Sequence, residues 1–295
     1  MQIGVALPQM ARDYGPGTTV EWSRAIDEGP FSSVSAGERV TFSNPEMVAS
    51  LAAAAAVTRR VRIMANVWVL PAHPAAMVAQ QVGTLDQLAP GRLSLGVGVG
   101  GREHDYQALG APLDARHARL DTKVAELRQL LAGEPPFPGA DPVGPALTGA
   151  IPEILAAAMG PKSMARAARW ADGVTGFTVT GRRAEMESTN QRADEAWAAA
   201  DRPTPRKVTG CFVALGIDDP QATLRDYVCR YLAFAGDEIA AAMADEVTIS
   251  SPDAVARLLD DAEGAGCDEL ILVPATADRR CLDAMEALVS RRGGA

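Results

Sequence analysis

Short apolar runs alternate along this chain with longer segments whose apolar residues recur every three to four positions. The short runs are Ile3–Leu7, Ser32–Ala36, Val61–Leu70, Leu93–Val99, Glu153–Ala157, Gly173–Phe177, Val208–Leu215 and Glu269–Val273. Most are apolar at consecutive positions, which predicts strands buried on both faces, as in a parallel sheet. The segments between them predict amphipathic helices with their own punctuation. Asn44-Pro45 predicts a cap and a first-turn proline ahead of MVASLAAAAAV. Asp114 precedes a helix with Leu120, Val124, Leu127 and Leu131 on one face. Ser251-Pro252 repeats the cap-plus-proline signal before Val255, Leu258, Leu259 and Ala262. Asp278 opens a last helix faced by Leu282, Met285 and Val289.

Eight strand runs, each followed by helix, leave two architectures: a closed (β/α)8 barrel and an open doubly wound sheet. The strand number favours the barrel. Such barrels commonly run to about 250 residues as one unit, so the 295 residues are expected to form a single domain, 1–295. The Pro- and Gly-rich stretch 133–150 predicts an inserted loop, because the βα rhythm resumes directly after it. The region 216–250 is less regular and predicts extra helix.

Composition narrows the partners. Apolar residues make up 47% and charged residues 22%, as in a globular protein. The formal net charge of −9 argues against nucleic acid and anionic membrane surfaces. An anionic cofactor would need a local positive patch, and lysine is scarce: Lys123, Lys162 and Lys207. The four cysteines form no C-x-x-C pair and there are three histidines, so no metal site is expected. The opening MQIGVALPQM has no basic n-region or cleavage site, so no signal peptide is expected. The apolar run Met47–Val57 is too short to span a bilayer. These features predict a cytoplasmic protein with reduced thiols.

Several residues are candidates for chemistry. Gly96, Gly98 and Gly101 form a G-x-G-x-x-G. Three βα units precede it and no helix opens directly after it, so the glycines are expected to line a barrel strand against a flat ring rather than bind a dinucleotide. Gly160 and Pro161 open a helix, whose first N–H groups suit a phosphate, with Lys162 in the first turn. Glu38 and Arg39 follow the second strand run, at the end where barrel catalysis occurs; a loop ion pair is the other reading. Asn66, beside Val67 and Trp68, sits inside the third run and needs partners or a ligand. Glu103, His104 and Asp105 form a polar loop cluster with a candidate acid or base. His73 and His117 show no partner constellation.

The segment RVRIMANVWVLPAHPAAMVAQQVGTLDQLAPGRLSLGVGVGGREHDYQALG (Arg60–Gly110) resembles the core signature of luciferase-like monooxygenases. IPEILAAAMGPKSMARAARWADGV (Ile151–Val174) resembles that family's fifth βα unit; the match is weak beyond Val174. The resemblance implies a (β/α)8 barrel, usually a homodimer, with FMN or the deazaflavin coenzyme F-420 at the C-terminal mouth. A-A-x-G-P-K followed by A-D-G-V resembles the deazaflavin branch more closely. It implies the ring over Asn66 and Val67, where members often have a non-proline cis peptide. Gly98 would lie beside the ring. Met159, Gly160, Pro161 and Lys162 would hold the phosphate, helped by Thr180 and Arg182. Two positions depart from the family: Arg39 stands where the deazaflavin branch commonly has histidine, and Gly101 where some sugar-phosphate dehydrogenases place an acid. Glu103 or His104 would have to substitute.

The expectation is therefore an F-420-dependent oxidoreductase moving a hydride to or from a small organic substrate, with Glu38, Arg39, Glu103 and His104 as catalytic candidates. The alternatives are an FMN-dependent monooxygenase using O₂, a flavin-binding barrel that has lost catalysis, and a phosphate-binding isomerase or lyase with no redox cofactor.

Overall fold

A computed structural model describes residues 1–293. The eight runs form parallel strands closed in sequence order into a barrel, with β8 pairing back onto β1. They are β1 Gln2–Ala6, β2 Ser33–Ala36, β3 Arg62–Trp68, β4 Leu93–Val97, β5 Glu153–Ala156, β6 Gly173–Phe177, β7 Arg206–Val213 and β8 Glu269–Pro274. Outside them run α1 Thr18–Glu28, α2 Met47–Val57, α3 Ala75–Leu88, α4 Glu103–Ala108, α5 Arg116–Leu131, α6 Pro161–Ala167, α7 Arg183–Ala199, α8 Pro220–Leu232, α9 Asp237–Glu246, α10 Pro252–Gly264 and α11 Arg279–Gly293. The third strand is shorter than its apolar run because the chain turns into a 3-10 helix at Leu70–Ala72. The irregular region 216–250 contains α8, a short 3-10 turn and α9.

The helix signals divide. Ser251 caps α10 as expected, its hydroxyl accepting from the Ala254 amide at 3.2 Å, with Pro252 in the first turn. Asn44-Pro45 does not cap α2. Glu46 does, accepting from the Ala49 amide, while the Asn44 side chain donates to the Arg39 and Pro45 carbonyls and folds the loop before the helix. Asp114 does not cap α5 either; the helix starts after Ala115, which has positive φ. Stretch 133–150 is an anchored loop: buried Asp86 of α3 accepts from the amide and hydroxyl of Thr148.

Two layers fill the barrel. Met64, Leu155, Val208 and Ile271 pack together at mid-height. Below them, at the N-terminal ends of the strands, lies a polar layer around Glu269, which is 0% exposed. Glu269 accepts from the Ser32 and Ser33 hydroxyls at 2.7 and 2.6 Å and from Arg62 and Arg206 at 2.5 Å each. Arg206 also pairs with Glu153, which in turn accepts from Ser94. Gly4 makes room for this layer: a Cβ there would come within 2.1 Å of the Ser33 hydroxyl. The closed polar layer leaves the C-terminal end of the barrel as the open one.

Candidate active site at the barrel mouth

A cavity of about 360 Å³ opens at the C-terminal ends of the strands. Its wall takes Ala6, Leu7, Gln9 and Met10 at and after the end of β1, Ser35, Gly37 and Glu38 around the end of β2, Asn66 and Val67 of β3, Ala157 and Met159 after β5, Thr175 to Phe177 of β6, Gly210 and Phe212 of β7, and Val273 of β8. Tyr227 and Tyr231 of α8 roof it. Apolar walls with a few polar groups are the usual composition of small-molecule pockets.

The end of β3 forms one side. The Asn66–Val67 peptide bond is cis, at the position the resemblance implied. Thr175 donates a hydrogen bond from its hydroxyl to the Asn66 Oδ1 at 2.8 Å, which gives the half-buried amide a partner. Glu38 braces the same segment. Its amide donates to the Val67 carbonyl at 3.2 Å, and its Oε2 accepts from the Val69 amide at 2.7 Å. Its Oε1 lies 2.6 Å from His73 Nε2. His73, from the turn after β3, is therefore the partner of Glu38, although it does not line the cavity. His73 showed no partner in the sequence because Glu38 is 35 residues away.

The strand 4 glycines do something other than expected. A Cβ on Gly96 would meet the Ala65 carbonyl at 2.6 Å, and one on Gly98 would meet Ala157 Cβ at 2.9 Å and Val67 Cγ2 at 3.3 Å. The space is filled by protein. Gly98 seats Val67, and Val67 faces the cavity.

Arg39 is 8% exposed and lies outside the cavity wall. Its guanidinium sits 3.8 Å from the Tyr231 ring centroid and donates to the Tyr231 carbonyl at 2.6 Å. Burial pushes its pKa down from the ordinary arginine value. It joins the loop after β2 to α8 and forms no loop ion pair with Glu38, whose partner is His73. Glu103 and His104 lie on exposed positions of α4, a helix where a loop was expected, and neither lines the cavity. The buried member of that cluster is Asp105, which accepts from the Thr41 amide and hydroxyl at 2.7 and 2.6 Å and pairs with Arg102.

Opposite, Gly160 precedes the first turn of α6, and Gly160, Pro161 and Lys162 are all exposed; Met159 reaches the cavity. Arg192 of α7 donates to the Met159 carbonyl at 3.3 Å. Thr180 is engaged by protein: its hydroxyl and amide, with the Thr178 hydroxyl and the Val179 amide, donate to Glu185. Arg182 is exposed and faces Glu246 at 3.5 Å.

Sequence reasoning missed Gln9, Ser35 and the aromatic roof. Gln9 Nε2 and Ser35 Oγ have no hydrogen-bond partner, and the residues are 2% and 1% exposed. The available signal was position: each lies in or just beyond an apolar strand run, at its C-terminal end. Tyr227 and Tyr231 lie in the irregular region, where no strand-end rule applies.

A family model for luciferase-like monooxygenases matches residues 1–269. An uncharacterised protein of Mycobacterium tuberculosis is 31% identical over 165 residues, covering 52% of this chain and 56% of its own length. The 4-hydroxyprotoasukamycin monooxygenase of Streptomyces nodosus subsp. asukaensis is 40% identical over 97 residues, covering 32% of this chain and 25% of its own. The chain thus spans from a quarter to just over half of the length of these relatives. Among solved structures, an F-420-dependent secondary alcohol dehydrogenase in complex with an F-420–acetone adduct superposes with a TM-score of 0.81 at 17% identity, covering 98% of this chain and 97% of the other. A monooxygenase of Streptomyces bottropensis gives 0.78 at 23%, covering 99% of each chain. The oxygenating constituent of 3,6-diketocamphane monooxygenase of Pseudomonas putida, in complex with FMN, gives 0.74 at 16%, covering 99% and 98%. At these identities the structural likeness is one of fold.

Proposed function

The chain belongs to the luciferase-like monooxygenase family, and on that premise we propose that it is an F-420-dependent oxidoreductase that moves a hydride to or from a small organic substrate at the barrel mouth. The observation that carries the reading is the cavity over the Asn66–Val67 segment, continuous through Met159 with an exposed α6 start that bears Lys162. Its volume of about 360 Å³ is within the range of small-molecule pockets. Its unpartnered polar atoms at Gln9 and Ser35 suit a ligand that brings hydrogen-bonding groups. The anionic arm of F-420 needs positive charge on an acidic protein, and Lys162 and Arg192 stand on the α6 side.

In this reading Asn66 and Val67 support the ring, Gly98 keeps Val67 in place, and Met159 to Lys162 receive the phosphate with Arg182 at the rim. The deazaflavin, when bound, supplies hydride-transfer chemistry. Glu38 is the charged side chain on the cavity wall among the described residues, so it is the group positioned to take a proton at substrate, with His73 Nε2 2.6 Å from its Oε1. Arg39 acts through the roof by holding Tyr231. FMN-dependent monooxygenation with O₂ is a second reading, supported by the segment that is 40% identical to a monooxygenase.

Fluorescence titration with F-420 and with FMN separates the two. Lys162→Ala is expected to weaken cofactor affinity about tenfold, the loss of one charge-assisted contact, without changing the thermal midpoint. Unchanged affinity would overturn the phosphate assignment.

A further inference from the structure

Because the strands close in sequence order, the ends of β1 and β2 lie across the barrel axis from those of β5 and β6. The β5 side leads to the α6 start, where the proposed cofactor leaves the cavity. The β1–β2 side carries Gln9 and Ser35, whose buried Nε2 and Oγ have no partner in the protein. An amide or hydroxyl desolvated without a partner is unfavourable, and a ligand oxygen relieves it. Phe212, with Tyr231 packed against it, shares an apolar cluster with Met10, the residue after Gln9, on the wall of the same cavity. Phe212 meets Phe177, Tyr231 and Tyr227 at centroid separations of 4.4, 5.0 and 5.2 Å, so the aromatic wall is a packed set and not one mobile ring. Such a wall favours flat or ring-bearing ligands.

Charge is the remaining discriminator. Among the described residues Glu38 is the only charged side chain on the cavity wall, and both its oxygens are engaged, by Val69 and His73. Arg39 lies outside the wall, over Tyr231. An anionic ligand would enter an apolar pocket with no cation and a carboxylate for neighbour. A cationic one would find that carboxylate already paired.

We propose that the β1–β2 side of the cavity is the substrate pocket, and that it takes an uncharged, ring-bearing molecule whose oxygen is held by Gln9 and Ser35. This rests on the reading of the mouth as a redox site with the cofactor on the β5 side.

Equilibrium dialysis at neutral pH with four probes of one ring size tests it: 2-naphthol, naphthalene, 2-naphthoate and protonated 2-(aminomethyl)naphthalene. 2-Naphthol is expected to bind about twenty-five-fold more tightly than naphthalene, as for two hydrogen bonds of about 1 kcal/mol each, and the two ions to bind more weakly than either. Gln9→Leu and Ser35→Ala should each cut the naphthol-over-naphthalene preference to about fivefold, and the double variant should erase it. Thermal midpoint and cofactor titration, run on the same variants, should stay at wild-type values. Naphthoate or the amine binding as tightly as naphthol would overturn the proposal, as would a preference that survives both substitutions. A Gln9→Leu variant that loses cofactor but keeps naphthol would overturn it as well, by assigning this end to the cofactor. If neither F-420 nor FMN binds while the naphthol preference and its loss in the variants are both seen, the redox reading fails and the neutral-ligand pocket stands.

Discussion

Two carboxylates, one half-buried and one buried, decide how the loops lie around the mouth. Glu185 gathers Thr178, Val179 and Thr180 after β6, and Asp105 gathers Val40 and Thr41 after β2. For Asp105, burial alone would raise the pKa, but the Thr41 hydroxyl and amide and the Arg102 charge outweigh it and hold the carboxyl below the usual aspartate range. A depressed pKa means the charged form contributes stability in full above about pH 4, the ordinary aspartate value, and that the contribution is lost as pH falls through the lower folded value. Hydrogen-exchange protection factors of the Val40 and Thr41 amides, corrected for intrinsic rates, should therefore fall on acidification below about pH 4. In Asp105→Asn they should be low and flat with pH. Equal pH dependence in the two proteins would remove Asp105 as the clamp. At this scale the sequence was read unevenly. Glu38 was found because it follows a strand end, and Asn66–Val67 because an amide stands inside an apolar run at a position the family resemblance marks. His73 was not, because its partner is distant in sequence and only the closed barrel brings them together. Glu103 and His104 were singled out as substitutes for the acid that the resemblance places at Gly101, and the buried member of that cluster is Asp105.

Elements were legible wherever apolar periodicity was undiluted. All eight strands lie within the apolar runs to within two residues at each end. Caps were less secure, because a capping residue is recognised by chemistry that turns also use. Asn44 and Ser251 each precede a proline, yet only Ser251 accepts from the third residue of a helix; Asn44 bonds backward into its own loop. Ser251→Ala should lower stability by about 1 kcal/mol, the usual loss on removing a helix cap, read as a shift in urea midpoint at constant slope. The same substitution at Ser163, inside α6, is no substitute control, since its hydroxyl bridges the Gly160 amide and carbonyl. The strand 4 glycines show the limit of motif reading. Their spacing matched a nucleotide loop, but contacts from neighbouring strands determine what the missing side chains make room for.

The whole molecule divides between a closed polar end and an open apolar one. Glu269, from the last strand, holds residues from the second, third and seventh, so it locks the closure of the barrel as well as one pair of strands. Glu269→Ala would leave two arginines and two serines without their common acceptor. It should destabilise by about 3 kcal/mol, measured by denaturant unfolding, while cofactor affinity of the folded fraction stays at the wild-type value. Retained stability would show that water replaces the carboxylate without loss.

That separation bears on how such a chain can change over generations. Among the described residues, those that keep the barrel shut and those on the cavity wall share no side-chain partner, so on the proposed reading replacements at Gln9, Ser35 or Tyr231 would act on selectivity while leaving the lock at the far end untouched. A lineage with this division can sample new substrates by drift at one rim without first acquiring compensating changes at the other.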